Sequence, residues 1–205
     1  MPRPPQDPQI RIDEILDATE LLVSTKGYRK TTISDIAGKL GVAQGMLYYY
    51  FKSKDEIIEA VMFRQLSSLL IKIEKVVYSD MYTATEQIEV IINIIIKIIE
   101  HDAQDLIQSM FREEKFLPIQ KKIFNRTILC LKPYLLRIIE KGNQAGSFHV
   151  TNPNITIDFF FSILRCLSDA LCEDNRDELP CRLRMTEYLV ESLFGMPKNT
   201  IQLSC

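Results

Sequence analysis

Apolar residues recur every three to four positions along almost the whole chain, and no segment alternates with period two between hairpin turns. This is the helical period, and it predicts an all-α protein. Asp7 is a good N-cap and Pro8 suits a first helical turn, so a helix starts there and ends at Lys26-Gly27. Its apolar stripe is Ile12, Ile15, Leu16, Leu22 and Val23, with Ala18 and Thr19 as small packing positions. Thr32 and Asp35 have the spacing of a capping box, with Asp in the usual Glu place. They open a second helix that buries Ile33, Ile36, Ala37 and Leu40 and stops at Gly41. A third helix covers 43–51. Ser53 and Glu56 then form a second capping box, opening a fourth helix through Ile57 and Val61. Longer helices follow over 85–101, 104–114, 118–141 (with Pro133 as a point of bending), 155–172 and from Pro180 to about Phe194. The stretch 142–153 is turn-rich, and 173–179 is an acidic loop.

Four helix starts within about fifty residues, two of them separated by little more than Gly41-Val42, make a helix-turn-helix over about 28–54. On the third helix Gln44, Gly45, Tyr48 and Tyr49 share one side, while Leu47 and Phe51 lie four apart on the buried side. One amide, one glycine and a run of phenols suit a DNA duplex. Gln pairs with adenine edges in the major groove. Gly45 lets the backbone approach, and tyrosine hydroxyls donate to phosphate oxygens. Lys52 and Lys54 add charge just beyond, and Thr32 offers a hydroxyl and a backbone N–H at a helix start. Each has a plainer reading. Tyrosine runs usually pack in cores, Tyr50 lies near the Leu47–Phe51 face, and Gln44, Lys30, Lys39 and Lys52 suit an ordinary solvated surface.

The segment resembles the DNA-binding domain of the TetR family of transcriptional regulators. The resemblance covers about residues 10–60 and is carried by Thr32, Ile36-Ala37, Gly41-Val42, Gly45, Leu47-Tyr48, Tyr50-Phe51 and Ser53-Lys54. One position departs: Ala43 stands where the family commonly has Ser or Thr, a poorer N-cap by roughly 1 kcal/mol. The resemblance implies a three-helix DNA-binding head over 1–52 and an all-helical ligand-binding and dimerisation domain over 53–205. It places Thr32, Tyr48, Tyr50 and Lys54 at phosphates, and Gln44, Gly45 and Tyr49 nearest bases. It also implies a homodimer through the last two helices, about 155–172 and 182–194, on a palindromic double-stranded operator. A small apolar or amphipathic effector would release this repressor.

Charge refines the picture. The chain has 205 residues and a net charge of −2, which by itself argues against a nucleic-acid binder. The cations are local, however: 26–54 holds six (Lys26, Arg29, Lys30, Lys39, Lys52, Lys54) against Asp35 alone. In the second domain Asn93, Met110, Phe111, Asn125, Tyr134, Phe161 and Arg165 are candidate effector contacts, although packing is the plainer reading of each. Leu164, Leu167, Leu171, Leu183, Tyr188, Leu189 and Leu193 are candidate dimer contacts. The five cysteines and two histidines match no zinc spacing, which leaves idle thiols in a reducing cytoplasm and no cofactor or metal. The start is polar and Pro-rich, and the apolar run 88–99 is broken by Glu89, Asn93 and Lys97, so neither a signal peptide nor a membrane span is expected. No nucleophile–base pair or phosphate loop points to an enzyme. The alternative class is a helical interaction module, or an enzyme, without DNA binding.

Overall fold

The computed structural model describes residues 7–102, 116–172 and 177–204. Among them are eight α-helices, one π-helical turn and no strand. The expected helix over 104–114 lies outside the described residues.

The head holds α1 (Pro8–Lys26), α2 (Ile33–Leu40) and α3 (Gln44–Tyr50). Asp7 caps α1 through Gln9 N–H at 2.9 Å. Ile15, Leu16, Ala18, Thr19 and Val23 are buried, and the Thr19 hydroxyl returns to Ile15 O at 2.7 Å. Thr32 and Asp35 form the full capping box of α2, and Gly41 closes it with a left-handed φ of 66°. Gly27 also has positive φ (80°), but its ψ of 157° is extended, so it leads the chain out of α1 and is not the left-handed cap expected. Ile36, Ala37, Leu47 and Phe51 meet the α1 stripe in the head's core.

The fourth helix, α4 (Lys54–Val77), joins the two parts. Ser53 accepts from Glu56 N–H at 3.2 Å, but Glu56 reaches past Ser53 to the N–H of Lys52. The second capping box is therefore half formed, one residue out of register. Ile57, Ile58 and Val61 of α4 are buried, and α4 packs on α1, α5 and α6. The buried residues from Ile15 to Ile201 form one continuous cluster.

The body holds α5 (Ala84–Lys97), a π-helical turn at Ile98–Asp102, α6 (Leu117–Gln144), α7 (Pro153–Cys172) and α8 (Leu179–Phe194). A capping box of Thr83 and Glu86 opens α5. α6 continues as helix through Pro133, where the bond from position 133 to Leu129 O is missing. After α6, Phe148 folds back so closely on Gly142 that a Cβ there would sit 2.1 Å from its ring. The C-terminal residues run alongside α5 and α8. Glu191 accepts from the N–H groups of Thr200 (2.7 Å) and Ile201 (3.0 Å), and Glu187 from that of Leu203 (2.7 Å).

Candidate nucleic-acid interface and ligand cavity

α3 presents two different faces. Leu47 is fully buried, whereas Tyr48 and Tyr49 are 54% and 82% exposed and Gln44 and Gly45 are exposed beside them. Tyr49 rests edge-on against the half-buried Tyr50, with ring centroids 4.9 Å apart. A Cβ on Gly45 would meet nothing within 4 Å, so packing inside the protein does not require glycine there. Ala43 supplies no side-chain cap to α3.

Two expected phosphate contacts are occupied within the fold. The Thr32 hydroxyl donates to Asp35 Oδ2 at 2.6 Å and accepts from Asp35 N–H at 3.1 Å, and the Thr32 N–H donates to the same carboxylate at 2.7 Å. The N–H expected to be free for phosphate is thus bonded. Asp35 also pairs with Lys26 at 2.8 Å; that bond first, and those to Thr32 next, hold its carboxyl down at about 2. Lys54 turns inward. Its ammonium donates to Tyr28 O at 3.0 Å and Thr31 O at 2.9 Å and lies 3.8 Å over the Tyr28 ring. Tyr28 in turn hydrogen-bonds Asp55 through its hydroxyl. Lys54 therefore braces the loop that sets the angle of α2. Lys30, Lys39 and Lys52 remain exposed around α2 and α3.

In the body, α4, α5, the π-helical turn, α6 and α7 line a cavity of about 590 Å³ that is open on one side to solvent. This lies within the range of ligand pockets. Its wall is mainly apolar, including Leu66, Ile95, Ile98, Ile123, Phe124 and Leu164. Of the expected effector contacts, Asn125, Phe161 and Arg165 line it. Asn93 does not: it makes two long contacts to the C-terminal residues, Nδ2 to Gln202 O at 3.5 Å and Oδ1 to Ser204 N–H at 3.4 Å. Tyr134 does not either; it packs edge-on with Tyr78 at 6.3 Å, and burial first, then Glu74, pushes its hydroxyl pKa up. Met110 and Phe111 lie outside the described residues. Sequence reasoning missed Gln65 and Lys121 in the wall and the π-helical turn that supplies Ile98 and Ile99. The described wall holds two cations, Lys121 and Arg165, and no carboxylate. Arg165 lies 5.3 Å from the Phe124 ring.

Head and body grip each other beside this cavity. Phe116, next to the wall residue Leu117, packs edge-on against Tyr28 at 4.7 Å, both buried. On α4, Arg64 binds Asp17 and Glu20 of α1 at 2.6 Å each. Burial opposes the Arg64 charge, but these two carboxylates raise its pKa nonetheless.

On the last two helices Leu164, Leu167 and Leu171 are buried within the subunit, where packing on α5 and α8 claims them, and so do not face a partner as expected. Ile155, Phe159, Met185, Tyr188 and Leu189 are exposed instead, with Leu183 and Leu193 partly covered. Among the described residues no helix is long and apolar enough to cross a membrane.

Residues 15–61, from α1 into α4, match the model of the bacterial regulatory proteins of the tetR family. This segment is a TetR-family DNA-binding region, and the chain as a whole is similar to regulators of that family. It is a DNA-binding regulator, with the helix-turn-helix in α2 and α3. It is similar to the HTH-type transcriptional repressor KstR2 of Mycolicibacterium smegmatis, 28% identical over 80% of this chain and 78% of that one. It is also similar to the fatty acid metabolism regulator protein of Bacillus subtilis, 26% identical over 65% of this chain and 68% of that one. Its fold is shared by B. subtilis FadR, solved in complex with stearoyl-CoA (TM-score 0.65, 20% identity, 93% of this chain and 99% of that one). It is shared too by SmeT, the repressor of a Stenotrophomonas maltophilia multidrug efflux pump (TM-score 0.66, 18% identity, 95% and 94%).

Proposed function

We propose that the protein is a cytoplasmic homodimeric repressor, released from a palindromic operator by a small molecule in the body cavity. The observation that carries this reading is the outward face of α3: Gln44, Gly45, Tyr48 and Tyr49 are exposed on a short helix whose other side is locked into the core. Gln44, Gly45 and Tyr49 lie nearest bases, and Tyr48 and Tyr50 reach phosphates. Thr32 and Lys54 act on the DNA indirectly, by fixing the angle of α2. The head is 1–52 and the body 53–205, with the first turns of α4 shared between them. The second copy docks on Ile155, Phe159, Met185, Tyr188 and Leu189, setting the two α3 helices about one helical turn of DNA apart or at a related spacing.

The effector is an elongated apolar molecule with an anionic head. An apolar wall carrying two cations and, among the described residues, no acid favours that class, and the neighbour FadR was solved with a ligand of that kind, stearoyl-CoA. The test is operator binding by fluorescence anisotropy across 50–200 mM salt, using DNA selected from a random pool. A steep fall of affinity with salt is expected. Tyr48→Phe should weaken binding on all sequences, and Gln44→Ala should relax the preference for the selected site. Salt-independent binding, or equal effects of the two variants on every sequence, would contradict this division of roles.

A further inference from the structure

After α8 the chain runs along the groove between α5 and α8, and every backbone N–H from Thr200 to Ser204 ends on a side chain of those two helices. Glu191 Oε1 accepts from Thr200 (2.7 Å) and Ile201 (3.0 Å), Glu89 Oε2 from Gln202 (3.2 Å), Glu187 Oε1 from Leu203 (2.7 Å) and Asn93 Oδ1 from Ser204 (3.4 Å). From Gln202 to Ser204 the bonds go in turn to α5, α8 and α5. The side chains alternate as well: Ile201 is buried and Leu203 half-buried, while Gln202 and Ser204 are exposed. Both alternations have the period of an extended chain. The walls match it. Glu89 and Asn93 lie four apart on α5, and Glu187 and Glu191 four apart on α8, so each helix offers two acceptors on one side. None of the four lines the ligand cavity.

Such a groove reads backbone N–H groups and two apolar side chains. With three carboxylates on its walls it suits a segment that is uncharged or basic, and Thr200 to Ser204 carry no charge. We infer that the α5–α8 groove is a binding site for an extended peptide with apolar residues two positions apart, occupied in cis by this chain's own residues 200–204. The bound strap has a second effect. Among the described helices α8 packs chiefly on α7, and the strap ties it to α5. α8 carries the exposed Met185, Tyr188 and Leu189, so, resting on the dimer reading above, the strap holds part of the dimer face in place. A strap on the same chain competes at an effective concentration of roughly millimolar, so a free peptide enters only when the strap is weakened.

The test uses the full chain, with a labelled, amidated peptide of residues 198–204 as the probe. Ile201→Ser removes the buried anchor and leaves the walls intact, which should loosen the strap roughly 10- to 150-fold. This variant should bind the peptide at least tenfold more tightly than wild type does, read by anisotropy. The same peptide carrying Ile201→Ser should not bind, and Glu187→Ala added to the Ile201→Ser chain should weaken binding at least tenfold. In sedimentation Ile201→Ser should raise the dimer dissociation constant at least tenfold, and saturating peptide should restore it. Leu203→Ser serves if Ile201→Ser does not melt cooperatively. Peptide binding no tighter than to wild type, or unchanged by Glu187→Ala, overturns the site. Peptide binding with a dimer constant unchanged within twofold overturns the hold on the dimer face and keeps the site. A wild type that is monomeric at every concentration removes the dimer reading, and the peptide arm still decides the site.

Discussion

Gly45 separates what the fold needs from what DNA binding needs. It stands in the first turn of α3, outside the left-handed region, and an added Cβ meets no atom within 4 Å. Glycine within a helix costs about 0.5–1 kcal/mol relative to alanine. Gly45→Ala should therefore stabilise the protein by up to that amount, raising Tm by roughly 1–4 °C for a chain of this size. If α3 lies in the major groove with Gly45 against the duplex, the same methyl occupies space the DNA needs. Operator affinity should fall at least tenfold, or about 1.4 kcal/mol. The control is Gly38→Ala in α2, also in open space, where the same gain should come with operator affinity unchanged within twofold. Tm is read by circular dichroism and affinity by anisotropy at fixed salt. A Gly45→Ala protein with raised Tm and undiminished operator affinity would refute the placement of this face on DNA. One with lowered Tm would refute the account of Gly45 as unneeded by the fold.

Three further outcomes follow from the same contacts. Lys54→Met removes two carbonyl bonds and a cation over Tyr28, and should cost about 1–3 kcal/mol in urea unfolding while leaving the salt slope of operator binding unchanged; a slope reduced by about one would place its ammonium on phosphate instead. Gly142→Ala drives a methyl into the Phe148 ring and should cost at least about 2 kcal/mol, much of it recovered by Phe148→Leu, as urea midpoints would show. Asp35 has its carboxyl lowered from 3.8 to about 2 in the folded protein, so its stabilisation is complete above about pH 4 and is lost as pH falls toward 2; the Tm gap between wild type and Asp35→Asn should close across that window, and a constant gap would deny the shift.

What was readable in the sequence was what depends on near neighbours. Periodicity placed the helices, and the capping residues Asp7 and Thr32 placed two of their starts correctly, because a cap acts within three residues. The outward face of α3 was readable for the same reason: four positions on one helix fix their own sides. Long-range partners were not readable. Nothing near Lys54 shows that its ammonium will meet carbonyls 23 and 26 residues earlier, nor does anything near Gln65 reveal Glu20, 45 residues away. Leu164, Leu167 and Leu171 were misassigned to a partner because an apolar stripe looks the same whether its neighbour belongs to the same chain or another. Asn125, Phe161 and Arg165 were found at the cavity and Asn93 and Tyr134 were not, since a polar residue on an apolar helix signals only that it needs some partner.

The charge of the head has a consequence for how it holds DNA. Six cations between residues 26 and 54 would, if all met phosphate, give twelve contacts per dimer and a log–log salt slope of about −11. Two are engaged elsewhere: Lys26 on Asp35 and Lys54 on backbone carbonyls. Lys30, Lys39 and Lys52 are exposed, and even with Arg29 added a dimer would neutralise no more than eight phosphates through this stretch, for a slope of about −7 or shallower. The remaining affinity must come from uncharged contacts, and the exposed Tyr48, Tyr49 and Gln44 are the groups placed to make them. With the proposed α3 contacts, an overall charge of −2 is no conflict, because such an interface would lean on phenols and an amide more than on charge. Operator titrations from 50 to 300 mM salt measure the slope directly. A value near −11 would mean that Lys26 and Lys54 leave their internal partners on DNA, and the bracing role assigned to both would have to be given up.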